Sequence, residues 1–145
     1  PAPLRRVPAP AAPGEPVRRD AELVQGSGET ILVVDDDRDV RATLCDSLRS
    51  IGYRVVEASG GAEALALLDE TQPAAAIVDF AMPGMNGAEF ARAAVARRPE
   101  LKVMFASGYA ETEALNRALG DRAVILRKPY ALVELSRLVA RVLAG

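Results

Sequence analysis

The sequence contains no histidine. That absence excludes imidazole metal ligands, histidine general bases and a phosphohistidine within these 145 residues. Cysteine occurs once, as Cys45, so no internal disulfide can form. No apolar run approaches the length needed to cross a bilayer, and no signal-peptide pattern opens the chain. A reducing cytoplasm is the expected setting. Charge of either sign is not in excess: 18 Lys and Arg face 20 Asp and Glu, a formal charge of −2. There is thus no electrostatic case for a nucleic-acid or membrane partner. Half of the residues are apolar, enough for one ordinary domain core and too few for two. The first residue is Pro1 rather than Met, which reads as a piece of a longer polypeptide.

Six of the ten prolines fall within residues 1–16, interleaved with Ala and Arg. Fixed φ angles and missing amide donors disfavour helix and sheet there. Residues 1–28 read as a linker closed by Gly26 and Gly28, and a chain starting near Ser27 is expected to lose little stability. Leu23 and Val24 are the residues through which that stretch would dock if it packs.

From Thr30 onward, short apolar runs alternate with segments of helical period, the pattern of βαβ units around a parallel sheet. The strand candidates are Ile31–Val34, Tyr53–Glu57, Ala75–Asp79, Val103–Ser107 and Ala123–Leu126. Their unbroken apolar character suits strands covered on both faces, and Arg54 marks the second as an edge. Core-facing helical stripes are read at Val40, Leu44, Leu48 and Ile51, and at Leu132, Leu135, Val139 and Val142. Three further helices are marked by Ala64, Leu65 and Leu68, by Phe90 and Ala94, and by Ala114, Leu115 and Ala118. Pro73, Pro83, Pro99 and Pro129 all fall in connections. The expected fold class is α/β, a doubly wound five-stranded parallel sheet over residues 29–145.

Right-handed crossovers bring all strand C-termini of such a sheet to one edge, and ligands bind there. The first strand ends in Asp35-Asp36-Asp37, the third in Asp79 and the fourth in Ser107-Gly108, while Lys128-Pro129 follows the fifth. Carboxylates only a few ångströms apart repel, and a divalent cation resolves that conflict. The donors on offer are hard oxygens, which favour Mg²⁺. A carboxylate beside Mg²⁺, a lysine and a hydroxyl is equipped to attack phosphorus, because the cations neutralise the oxygens of the transferred group. Read singly, each residue has an ordinary explanation. Asp37 caps the helix ahead of Val40; Asp35 and Asp36 could cap or face solvent; Ser107 could cap a turn with Gly108; Lys128 could be a surface lysine. Their joint placement is what points to chemistry.

These residues resemble the receiver domains of bacterial response regulators and hybrid sensor kinases. The resemblance spans residues 30–145. It rests on Ile-Leu-Val-Val-Asp35-Asp36, on Val78-Asp79-Phe-Ala-Met82-Pro83-Gly-Met-Asn-Gly87, on Phe105-Ala-Ser107-Gly108 and on Lys128-Pro129-Tyr130. It implies a flavodoxin-like strand order 2-1-3-4-5 and a phosphoryl group accepted by Asp79 from a phosphohistidine on another domain. The donor would be a histidine kinase phosphotransfer domain or a histidine phosphotransfer protein. The metal, Mg²⁺ or Mn²⁺, would be held by Asp35, Asp36, Asp79 and the carbonyl of Ala81. Ser107 and Lys128 would contact the phosphoryl group, the Lys128-Pro129 bond would be cis, and Gly87 would open the third helix. Ala81 and Tyr109 stand where such domains place side chains that influence the hydrolytic water, and here they imply slow loss of phosphate. Where many receivers carry an aromatic switch residue, this chain has Ile125.

The resemblance further implies a signalling domain rather than an enzyme, with any kinase activity lying upstream. The receiver of a hybrid kinase is the expected setting, with a stand-alone regulator as the alternative. A haloacid-dehalogenase-like phosphatase is the rival reading, since Asp35-x-Asp37 superficially meets its opening motif. That reading needs further acids after the fourth strand, where this chain has Ser107 and Gly108.

Overall fold

Each apolar run becomes a strand, and each strand is followed by a helix. In the computed structural model, which describes residues 23–120 and 123–145, the order is β1 (Thr30–Val34), α1 (Arg38–Ser50), β2 (Arg54–Ala58), α2 (Gly61–Thr71) and β3 (Ala75–Asp79). There follow α3 (Gly87–Arg97), β4 (Lys102–Ser107), α4 (Tyr109–Leu119), β5 (Val124–Arg127) and α5 (Leu132–Ala144). The strands form one parallel sheet in the order β2-β1-β3-β4-β5. The doubly wound α/β expectation and its strand order are both met, and β2 with its exposed Arg54 lies at an edge.

Strand alternation divides the core in two. Ile31, Val33, Ala75, Ile77, Met104, Ala106 and Leu126 point to one face, where α1 covers them with Leu44, Cys45 and Leu48 and α5 with Leu135 and Val139. Leu32, Val34, Ala76, Val78 and Phe105 point to the other, against Ala64 and Leu68 of α2, Phe90 and Ala94 of α3 and Leu115 of α4. A fully buried side chain of this size contributes about 1.5–3 kcal/mol relative to exposure. The two layers therefore supply most of the drive that holds the sheet edge rigid.

Helix starts are secured by carboxylates. Asp37 caps α1 by accepting from the amides of Asp39 and Val40, as its position before Val40 implied. Asn86 and Glu89 form a reciprocal capping box on α3. Glu111 and Glu134 reach back to the amides of Gly108 and Ala131.

Two expectations change. Val40 is 38% exposed instead of facing the core, and residues 38–40, the first turn of α1, are exposed throughout. The buried stripe is Leu44, Cys45 and Leu48, continued by the expected Ile51 at the C-cap. Of the linker expected over residues 1–28, residues 1–22 lie outside the described residues. The remainder touches the fold: Leu23 packs against the α1/α5 core, the Val24 amide donates to Ser136 Oγ at 3.2 Å, and the amides of Gly26 and Gly28 donate to the carbonyls of Ile51 and Gly52.

Candidate functional site

The chain winds from β1 outward to β2, then crosses back to β3, so the winding direction reverses between β1 and β3. The crevice at the C-terminal ends of those two strands is the binding position of such sheets. Asp35 continues the parity of Ile31 and Val33, and Asp79 that of Ala75 and Ile77, so both side chains belong to the α1/α5 face at the mouth of the crevice. Carboxylate oxygens of Asp35, Asp36 and Asp79 lie within 4.8 Å of one another. Lys128 Nζ stands 3.7 Å from Asp79 Oδ1.

Backbone hydrogen bonds fix this geometry. Asp35 Oδ1 accepts from the Asp37 amide at 2.8 Å, and the Arg41 guanidinium donates to the Asp35 carbonyl at 2.7 Å. The Phe80 amide donates to the Ala106 carbonyl at 3.1 Å, holding the end of β3 against β4. The Gly87 amide donates to the Phe80 carbonyl at 3.0 Å, and a Cβ on Gly87 would stand 2.8 Å from the Asp79 carbonyl oxygen. Only glycine lets α3 start this close to the end of β3. The Lys128 amide donates to the Ser107 carbonyl at 2.9 Å, and the Lys128-Pro129 peptide is cis.

Asp35 is 3% and Asp79 9% exposed, and burial is the main cause that raises both carboxyls above the usual aspartate range. For Asp79 the charge of Asp35 adds to the rise, while Lys128 and a backbone hydrogen bond from Ala81 oppose it. For Asp35 the Asp37 amide and Lys128 oppose the rise. Lys128 is one-third exposed, so solvent screens its pull and one lysine does not balance three carboxylates. Oxygen-only donors with an uncompensated negative charge fit a hard divalent cation.

Ser107 closes the neighbouring strand β4 at the same edge of the sheet. It shares the parity of Val103 and Phe105, which puts it on the opposite face of the sheet, and it is fully buried under α4. Its Oγ lies 2.9 Å from the Oγ1 of Thr112, a residue that no sequence motif singles out. The side chain of Tyr109 lies outside the described residues.

A profile of the response regulator receiver domain matches residues 31–140. This chain belongs to the response regulator receiver family. It is 35% identical over 114 residues to the response regulator receiver protein CpdR of Brucella abortus, covering 78% of this chain and 95% of that protein. It is 36% identical over 138 residues to the sensor kinase CckA of the same organism, covering 93% of this chain but 14% of the kinase. The solved receiver domain protein of Clostridium thermocellum superposes with a TM-score of 0.74 at 25% identity, over 80% of this chain and 94% of that one. The receiver is thus a two-component signalling domain, as the resemblance implied. No helix among the described residues is long and apolar enough to cross a membrane.

Proposed function

We propose that this receiver accepts a phosphoryl group on Asp79 from a phosphohistidine of a partner kinase or phosphotransfer protein. The observation that carries the reading is the cluster of Asp35, Asp36 and Asp79 with Lys128 Nζ 3.7 Å from the Asp79 carboxylate. In the transfer, an Asp79 oxygen attacks phosphorus, an O–P bond forms, the histidine N–P bond breaks and the nitrogen keeps its electron pair. The donor histidine must come from another domain, because this chain has none.

Asp35, Asp36, Asp79 and the Ala81 carbonyl would hold Mg²⁺ or Mn²⁺, which when bound neutralises charge on the transferred oxygens. Lys128, with its Nζ 3.7 Å from Asp79 Oδ1, would contribute a second positive charge and orient the group as it arrives. Ser107 supplies a hydroxyl once its side chain is released from α4. A hollow of about 400 Å³ lined by Val40, Thr43, Pro129 and Tyr130 lies beside Lys128, and it supports partner contact at that side of the rim.

The setting proposed is the receiver of a hybrid kinase. The alignment with CckA covers 93% of this chain, so it reaches into the residues before Ile31, which the alignment with CpdR is too short to require. The test of the core reading is labelling by a small phosphodonor with Mg²⁺. Asp79→Asn abolishes incorporation on this account; full labelling of that variant contradicts it.

A further inference from the structure

Ser107 and Thr112 form a closed chain of hydroxyls beneath α4. Thr112 Oγ1 donates to the Gly108 carbonyl at 2.9 Å, and Ser107 Oγ lies 2.9 Å from Thr112 Oγ1. A threonine hydroxyl has one proton and accepts through its lone pairs. The Thr112 proton is used on Gly108, so the proton in the Ser107–Thr112 contact is that of Ser107. Ser107 is 0% and Thr112 7% exposed, so water does not offer either hydroxyl an easy substitute partner.

A phosphoryl oxygen offers only lone pairs, so a hydroxyl that serves it must donate. The single Ser107 proton can go to Thr112 or to the phosphoryl group, but not to both. At the β5 position where an aromatic residue could share in such an exchange, this chain has Ile125, which is partly buried in the same core layer as Leu115 and has no hydroxyl. The only hydroxyl bonded to Ser107 among the described residues is that of Thr112.

Resting on the reading of Asp79 as the acceptor, we propose that Thr112 is a positioning residue that holds the Ser107 hydroxyl away from the phosphoryl site and so sets the cost of reaching the phosphorylated state. Removing the Thr112 oxygen leaves the Ser107 donor unpaired in the resting state and takes nothing from the Ser107–phosphoryl contact. The loss of the Thr112–Gly108 bond falls on both states. The equilibrium therefore shifts toward the state in which Ser107 serves the phosphoryl group.

The test titrates the full chain with beryllofluoride, a phosphoryl mimic, in saturating Mg²⁺, reading the apparent Kd by calorimetry. Thr112→Val should tighten binding about fivefold, the equivalent of one ordinary buried hydrogen bond. Thr112→Ser should restore the wild-type value. In a Ser107→Ala background, Thr112→Val should give no tightening, which a merely structural effect of the substitution would not obey. Unchanged or weaker binding by Thr112→Val, or the same tightening without Ser107, overturns the proposal. In the wild-type chain the Thr112 methyl resonance should move when beryllofluoride is added to the Mg²⁺-bound protein, and a fixed resonance overturns it even if Thr112→Val fails to fold. Asp79→Asn separates the two levels: undiminished beryllofluoride binding by that variant refutes the acceptor assignment itself, whatever Thr112 does.

Discussion

Gly87 and Gly61 occupy the same position in two helices, the first residue of α3 and of α2. Replacing either by alanine changes intrinsic helix preference by the same amount, a gain of at most about 1 kcal/mol. What differs is the space. A Cβ on Gly87 would lie 2.8 Å from the Asp79 carbonyl oxygen and 2.9 Å from Phe80 Cα, both backbone atoms fixed by the β3–β4 ladder. A Cβ on Gly61 would meet Met85 Sδ at 2.6 Å, the movable end of a flexible side chain. Forcing an extra carbon against fixed backbone costs about 1–3 kcal/mol, whereas a methionine re-rotates for less. Gly87→Ala should therefore be about 1–3 kcal/mol less stable than Gly61→Ala in urea unfolding. It should also slow labelling by a small phosphodonor, because the strain is released by displacing the end of β3 that carries Asp79. Equal stabilities for the two variants, with labelling intact in both, would refute the argument that Gly87 sets the distance between α3 and the acceptor.

A chain starting at Ser27 loses the packing of Leu23 and the Val24–Ser136 hydrogen bond, so it should be about 1–2 kcal/mol less stable than one starting at Leu23; identical urea midpoints would show that these contacts contribute nothing. Burial, with the charge of Glu57 adding to it, pushes the Cys45 thiol up to about 11 from 9.0, so the folded state favours the protonated form. That contribution to stability is fully present below pH 9.0 and is lost as pH rises through about 11, and alkylation by iodoacetamide at pH 8 should proceed only as fast as the protein opens. Because the carboxyls of Asp35 and Asp79 are raised, protons compete with the metal earlier than at ordinary aspartates: Mg²⁺ affinity should begin to fall at a higher pH than in a solvated carboxylate site, and a calorimetric series in pH showing no early fall would contradict the burial argument.

Much of this was legible in the sequence, for physical reasons. Strands buried on both faces read as apolar runs, and each expected strand lies within a residue or so of the observed one, with Ala75–Asp79 matching throughout. The Asp37 cap was legible because a capping carboxylate acts on amides only two or three residues away. Val40 was misplaced because helical period reports which residues share a stripe, but not where along the helix that stripe becomes covered. The orientation of Ser107 depends on the register of β4 against β3, and register is a property of two strands together. Thr112 gave no signal at all, since a threonine in the first turns of a helix has no distinguishing neighbours in sequence. Gly87 was legible as the residue that opens α3, while its clearance from Asp79 is a distance that only the packed structure shows.

The identity of the residue that carries the phosphoryl group decides whether this domain works as proposed. The full chain, incubated with a small phosphodonor and Mg²⁺, should be treated with borohydride, which reduces an aspartyl phosphate to homoserine, and then mapped by peptide mass spectrometry. Homoserine is expected at position 79 alone, dependent on the divalent cation and absent in Asp79→Asn. Homoserine at Asp35 or Asp36 instead, or undiminished modification in chelator, would contradict the proposal.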